Sequence, residues 1–370
     1  MNFPGLDPAY TFVHHTAHLA RLMQTCTLDE TRVGLEEGEK VLVVATTALG
    51  DSILTLPLVE TLSQRLGRER VSLLVKNPYV ELYQDDPRLH RVFSVRGKYR
   101  WGGLQEKLAS DPHRIALIAN MTEPDLIPFL WRCGVRGFLR YRTRWSRYPQ
   151  WFANAAMMRR PSAPDYATGH AIENNLAMAV ALGVEPTTRR LSLPHLVEPP
   201  DGQPRGLLIH PGASREIKRW PEENWARLGD ALAEKFNCAV ALTGDRSEHS
   251  LAARIACLMR RRPVILAGKL SLSALARIQS LALAFLSGDT GPYHMAVAVG
   301  CPTVTLFAPT DRGSSMEACG PHQAPEKFHR ALQTKFLGAP IGTISFEQVL
   351  AEAVTVIEAS LARDAKAIPS

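Results

Sequence analysis

Three short stretches of this chain combine residue types that plain packing does not require. Residues 285–307 read FLSGDTGPYHMAVAVGCPTVTLF, where an apolar run ends in Ser287-Gly288-Asp289-Thr290-Gly291 and Pro292 opens an Ala/Val/Met stretch at helical spacing. The pattern is strand, glycine turn, and helix with proline in its first turn. Unpaired N–H groups and the positive dipole end at such a helix start suit an anion. Residues 210–221, HPGASREIKRWP, repeat the device. Pro211-Gly212 turns the chain, Ser214 and backbone N–H groups can line an anion, and Lys218 and Arg219 add cationic reach. The third stretch, Thr46-Thr47-Ala48-Leu49-Gly50-Asp51, puts a carboxylate at a helix start. There it stays ionised and can accept a proton from a hydroxyl, as a general base does. Each stretch has a plainer reading: Asp51, Asp289 and Thr290 as helix caps, and a solvated basic loop with Trp220 packed on the surface.

The chemistry open to these residues is narrowed by what the chain lacks. Neither G-x-x-x-x-G-K-[ST] nor G-x-G-x-x-G occurs, which argues against a P-loop ATPase and a dinucleotide dehydrogenase. There is no D-x-D, and no His/Cys/carboxylate set has metal-ligand spacing, so neither metal nor cofactor is expected. Cysteines 26, 133, 238, 257, 301 and 319 form no C-x-x-C pair, as suits reduced thiols in a cytosol. The start, MNFPGLDPAYTF, lacks the basic and apolar regions of a signal peptide, and no apolar run approaches 18 residues. A cytoplasmic protein is the expectation.

The elements that must position these stretches alternate along the chain. KVLVVA, VSLLV, RVFSV and RIALIA, starting at 40, 71, 91 and 114, read as buried strands with helical segments between them. After VEPPDGQPRG (197–206), which reads as a linker, the alternation restarts with GLLIH, AVALTG, PVILAG, LAFLS and PTVTLF. The prediction is α/β: two Rossmann-like parallel-sheet domains facing a central cleft, with ligands at the carboxyl ends of the strands. The boundaries expected are an N-terminal extension 1–38, a first domain 39–197, a second domain 204–345 and a C-terminal helix 346–363.

Charge is uneven. The whole chain carries +7, yet residues 91–160 hold 14 Lys+Arg against 4 Asp+Glu, a local balance of +10. Arg96, Lys98 and Arg100 follow one predicted strand end, and Arg140, Arg142, Arg144 and Arg147 follow another. Guanidinium forks there suit an acceptor bearing phosphates or carboxylates. Trp145, Tyr148, Trp151 and Phe152 among them suit peripheral contact with a membrane interface. A nucleic-acid binder built on the same Arg/aromatic mixture leaves all three helix-start stretches unexplained, so no nucleic-acid partner is expected.

GDSILTLPLVETL, HPGASREIKRWPEENWARL and SGDTGPYHMAVAVGCPTVTLFAPTD, in this order, resemble glycosyltransferase family 9, the heptosyltransferases of lipopolysaccharide core synthesis. The resemblance runs from about residue 40 to 358. It implies a GT-B fold and metal-independent, inverting transfer of heptose from an ADP-heptose donor to an anionic glycan or glycolipid acceptor at the inner face of the membrane. It places the base on Asp51, the phosphate-binding lysine on Lys218, and the diphosphate- and sugar-binding turn on Asp289, Thr290 and Gly291. Ser214 joins the donor site, Glu248 would contact the ribose, and Leu270 would lie beside the adenine. On this view the diphosphate is received by N–H groups at 290–293, and Asp289, repelled by phosphate, faces sugar hydroxyls. Another donor, a protein acceptor, or a non-catalytic sugar-nucleotide-binding protein are the alternatives on the same scaffold. The family begins close to its first strand, so the residues before Lys40 are a departure, and no four-cysteine metal finger follows Cys301.

Overall fold

The computed structural model describes residues 35–96, 103–120, 126–139, 169–199, 205–322 and 324–367. The chain divides into two compact units, Met1–Thr188 and Arg189–Ser370. The division precedes the proline-rich stretch at 197–206. The Leu193 N–H donates to Ala298 O at 2.9 Å and the Glu198 N–H to Ser280 Oγ at 3.0 Å, which ties these residues to the second unit.

The first unit runs β1 (Val41–Ala45), α1 (Leu49–Ile53), α2 (Leu56–Leu66), β2 (Val71–Lys76), β3 (Arg91–Val95), α3 (Leu104–Ala109), β4 (Ile115–Asn120), α4 (Leu126–Arg132), β5 (Gly137–Leu139) and α5 (Ala171–Ala181). Its strands form one parallel sheet in the order β3-β2-β1-β4-β5. Every side chain of β1 is buried, as a strand covered on both faces requires, and the run VLVVA supplies that. Two helices, α1 and α2, follow β1. Pro57, which has no N–H, sits in the first turn of α2, so the helix restarts there. The Asn175 side-chain amide of α5 donates to Leu54 O at 2.9 Å and holds the break in place.

The second unit runs β6 (Leu207–His210), α6 (Glu222–Phe236), β7 (Val240–Leu242), α7 (His249–Leu258), β8 (Val264–Ile265), α8 (Leu272–Leu281), β9 (Ala284–Gly288), α9 (Gly291–Ala298), β10 (Thr303–Phe307), α10 (Met316–Cys319), β11 (His329–Gln333) and α11 (Phe346–Ala367). Its sheet is parallel throughout, in the order β11-β10-β9-β6-β7-β8. The core gathers Leu207 and Ile209 of β6, Trp225 and Leu228 of α6, Leu286 of β9, and Val349, Val356 and Ile357 of α11. Helix α6 ends on Asn237, whose φ of 45° is the left-handed cap conformation that asparagine tolerates.

Both sheets share one winding. The first strand lies inside, the second and third pair outward on one side, and the fourth and fifth on the other. The order therefore reverses between β1 and β4, and again between β6 and β9. In such folds ligands bind outside the carboxyl ends of the strands at these reversals. The stretches after β1, β6 and β9 are the three that carry the unusual residues. The fold itself thus brings Lys218 and Asp289, 71 residues apart, to one edge of one sheet.

Candidate active site

In the second unit the loop after β6 is held from below by Trp220. Its indole is buried, stands edge-on to Trp225 at 4.9 Å, and donates through Nε1 to Ile344 O at 3.0 Å. The surface position weighed for Trp220 is thus not adopted; the ring is an anchor. Above it a single 3-10 turn, Glu216–Lys218, is tied at both ends, with the Arg219 Nε–H donating to Ala213 O at 3.1 Å and Arg215 Nη1 to Thr310 Oγ1 at 2.8 Å. Gly288 lies against this loop: a Cβ there would stand 3.5 Å from Lys218 O, an ordinary contact. Ser214 is on the exposed part of the loop.

Lys218 Nζ donates to Asp289 Oδ2 at 2.8 Å, and the two side chains are only 13% and 12% exposed. The ammonium predicted for phosphate is therefore shared with the carboxylate predicted for sugar hydroxyls. His294 Nε2 lies 4.0 Å from the other oxygen, Asp289 Oδ1, so a second nitrogen group adjoins the same carboxylate. Thr290 is the N-cap of α9 in extended geometry, but its hydroxyl makes no cap bond. Thr290 Oγ1 is buried without a hydrogen-bond partner among the described residues. One part of the sequence reading needs correction. Tyr293 does not offer its N–H to a ligand, because it donates to Thr290 O at 3.1 Å, and Pro292 has none. The N–H groups left for an anion at this helix start are those of Thr290 and Gly291. Burial of the Tyr293 ring pushes its phenol well above the usual range, so it takes no part as an acid or base.

Glu248 follows β7 at the same sheet edge. Its Oε2 accepts the Asp245 N–H at 2.9 Å, while Asp245 Oδ1 accepts the Ser247 and Glu248 N–H groups at 2.7 and 3.2 Å. Those N–H and hydroxyl donors hold the Asp245 carboxyl below its ordinary range. Leu270, half-buried, lies in the turn between β8 and α8, one residue before the Ser271 cap. Sequence reasoning gave no role to His210 and only a turn to Gly212, although both stand in the quoted stretch 210–221. His210 is buried at the end of β6 with Nε2 3.9 Å from Glu248 Oε2. Burial lowers its pKa, with Glu248 and Asp245 opposing.

In the first unit Asp51 is half-buried in α1. Thr47 Oγ1 donates to Asp51 Oδ2 at 2.6 Å and the Ala48 N–H reaches the same atom at 3.3 Å. Asp51 therefore does reach back over its own helix start, as a cap does. Both contacts fall on Oδ2, which leaves Oδ1 for a proton. Tyr79, unforeseen in the sequence, is close enough for burial and the Asp51 charge to raise its phenol pKa. Arg96 is exposed directly after β3. Lys98, Arg100, Arg140, Arg142, Arg144 and Arg147 lie outside the described residues, as do Trp145, Tyr148, Trp151 and Phe152. Among the described residues no group of His, Cys, Asp and Glu side chains is placed to hold a metal ion, and no helix is long and apolar enough to cross a membrane.

Comparison with known proteins settles the class. The profile of glycosyltransferase family 9 (heptosyltransferase) matches residues 159–324. Lipopolysaccharide heptosyltransferase 3 of Escherichia coli is 24% identical over 71% of this chain and 81% of its own length. Lipopolysaccharide heptosyltransferase 1 of Pseudomonas aeruginosa is 24% identical over 74% and 80%. The chain is a glycosyltransferase similar to the heptosyltransferases of family 9. Its two parallel-sheet units are those of the GT-B heptosyltransferases. The E. coli heptosyltransferase WaaC with ADP superposes with a TM-score of 0.70 at 21% identity, over 86% of this chain and 99% of that one. The family 9 glycosyl transferase from Veillonella parvula superposes with a TM-score of 0.71 at 18% identity, over 88% and 99%. The profile match includes the loops after β6, β7, β8 and β9, and begins after Asp51 and the basic residues at 140–147.

Proposed function

We propose that this glycosyltransferase moves heptose from ADP-heptose to an anionic glycan or lipopolysaccharide-core acceptor, with inversion and without a metal ion. The observation that carries the reading is the edge of the second sheet. There Lys218, the Thr290 and Gly291 N–H groups and the unpartnered Thr290 hydroxyl converge beside Asp289. Donors fixed in advance around a leaving diphosphate stabilise charge as it develops, which is the role a divalent cation plays elsewhere. A diphosphate entering this site takes Lys218 from Asp289, and the released carboxylate then faces the sugar hydroxyls. Ser214 adds a hydroxyl, Glu248 accepts from the ribose, and Leu270 lies against the base.

Asp51 stands at the corresponding edge of the first sheet and acts as the base. Oδ1 removes the proton of the acceptor hydroxyl as that oxygen attacks the anomeric carbon, while Thr47 and the Ala48 N–H hold the carboxylate in place through Oδ2. Attack on the face opposite the ADP inverts the anomeric configuration. Arg96 and the basic residues at 98, 100, 142 and 144 meet the acceptor's negative charge, beside a peripheral membrane contact. The test is transfer itself: ADP-heptose and a heptose-deficient core acceptor are incubated with the protein in EDTA, and ADP and extended glycan are measured. Equal amounts of both with and without EDTA are expected. A strict need for added magnesium overturns the metal-free mechanism, and no product from any core acceptor overturns the reading.

A further inference from the structure

The side chain of Glu248 passes between two glycines. A Cβ built on Gly212 would stand 1.8 Å from Glu248 Oε1, 2.3 Å from the carboxyl carbon and 2.8 Å from Oε2. A Cβ on Gly244 would stand 3.0 Å from both Glu248 Cβ and Oε2. Real carbon atoms do not approach at 1.8 Å, so the volume a side chain would fill at 212 is the volume the carboxylate occupies. The Gly212 backbone is outside the left-handed region, since no positive φ is found there. What residue 212 requires is therefore space, and alanine could adopt its backbone without strain.

A buried imidazole stands on the other side of the carboxylate and donates nothing to it. His210 Nδ1 lies 3.2 Å from Thr243 Oγ1, and that hydroxyl's own hydrogen points to Ile209 O at 3.3 Å. Thr243 then accepts, so the proton sits on Nδ1 and Nε2 is bare, 3.9 Å from Glu248 Oε2. Burial keeps this imidazole neutral at neutral pH. Oε2 is held by the Asp245 N–H, and Oε1 has no hydrogen bond among the described residues. A carboxylate 21% exposed, with one oxygen fixed and the other aimed past a glycine, accepts hydroxyl donors from a ligand.

We propose that Gly212 is a specificity-determining residue of the donor site, because its missing side chain is the seat from which the Glu248 carboxylate receives the vicinal hydroxyls of the nucleotide's ribose. This rests on the reading that the second unit binds an adenine nucleotide. Gly212→Ala removes diol recognition and leaves the phosphate groups of the site in place. The clash falls on the far end of a flexible side chain, so the variant can fold with the carboxylate displaced.

The test is a double-mutant cycle by calorimetry with two probes, ADP and 2′,3′-dideoxy-ADP. Gly212→Ala and Glu248→Ala are each expected to weaken ADP by about tenfold or more, the worth of hydrogen bonds to a charged group. In the Glu248→Ala background, which removes the obstructed atoms, Gly212→Ala should change nothing further. The dideoxy probe should bind the parent and Gly212→Ala equally, and kcat at saturating donor should be kept while donor KM rises. If Glu248→Ala binds ADP as the parent does, the ribose assignment of Glu248 fails. If Glu248→Ala weakens ADP and Gly212→Ala does not, the seat at Gly212 fails while that assignment stands. If Gly212→Ala costs as much without the Glu248 side chain as with it, the glycine shapes the loop and the proposal falls.

Discussion

At the scale of single residues, the proposal assigns chemistry to Asp51 and binding to Lys218. Asp51→Asn keeps the acceptor oxygen for Thr47 and the Ala48 N–H but cannot take a proton. Turnover should fall by about 100-fold or more with ADP affinity unchanged in calorimetry. Near-normal turnover would reduce Asp51 to the cap that its contacts also describe. Lys218→Ala withdraws a cation from the diphosphate and strips Asp289 of its partner beside it. ADP should bind roughly tenfold or more weakly, about 1.4 kcal/mol; parental affinity would remove Lys218 from the site. Two buried histidines away from the site set a pH limit. Burial lowers both His113 and His329 to about 4, against about 6.5 in an unfolded chain. The unfolded state thus binds the proton first. Stability is complete above pH 6.5 and is lost as pH falls toward 4, by about 2 kcal/mol per histidine at pH 5. Urea melts at pH 7 and 5 should show the loss, and His113→Phe, which keeps the edge contact with Phe93, should flatten it. As candidates, the residues of the site were unevenly legible. Asp51, Lys218 and Asp289 stand out because charge next to a glycine turn has few other uses. His210, Gly212 and Tyr79 did not, because a buried imidazole, a turn glycine and a loop tyrosine read the same whether they brace a site or pack a core.

At the scale of elements, the strands that could be read from the sequence most plainly are those buried along their whole length, such as VLVVA and AFLSG. The two that could not are short or marginal. β5 is three residues, and β11, HRALQ, is an edge strand whose polar residues break the apolar run. The split between α1 and α2 was half-visible in Pro57, while the restart at Leu56 depends on Asn175, which is distant in sequence. Trp220 is the element-level counterpart: in the sequence it belongs to a basic loop, yet its ring lies in the core under that loop. Trp220→Ala should cost about 3–5 kcal/mol, as large aromatic truncations do, measured by urea melts. It should also weaken ADP, because the turn holding Lys218 loses its footing. A stable variant with weakened ADP would show the anchor matters for the site alone; a stable variant with parental affinity would contradict the anchor.

At the scale of the whole molecule, the two-unit α/β architecture was the most legible level, since alternation of apolar runs survives errors at any one boundary. The hinge was less so. Proline and glycine at 197–206 mark a loop, but contacts made by Leu193 and Glu198 decide which unit it joins. The charge asymmetry has a consequence for kinetics. If the acceptor is anionic, as proposed, a +10 balance over residues 91–160 attracts it at long range, and exposed charges are screened within about 8–10 Å near physiological salt. Acceptor KM should rise steeply between low and high salt while donor KM moves less, and Arg142→Ala with Arg144→Ala should raise acceptor KM and leave ADP affinity alone. An acceptor KM flat in salt and in that variant would return these arginines to a solubility role.

The placement of α11 bears on how the protein is made. Val349, Ala353, Val356 and Ile357 of this helix close the core of the second unit, and α11 leaves the ribosome after every strand it covers. The first unit's described strands and helices all precede Thr188, so they can be complete while the second unit is still being translated. The second unit has no such freedom. β6 waits for β9, and the sheet then waits with apolar side chains uncovered until α11 arrives. A ribosome stalled before the end of α11 therefore holds a nascent chain whose second unit lacks the helix that covers its sheet, a natural client for chaperones.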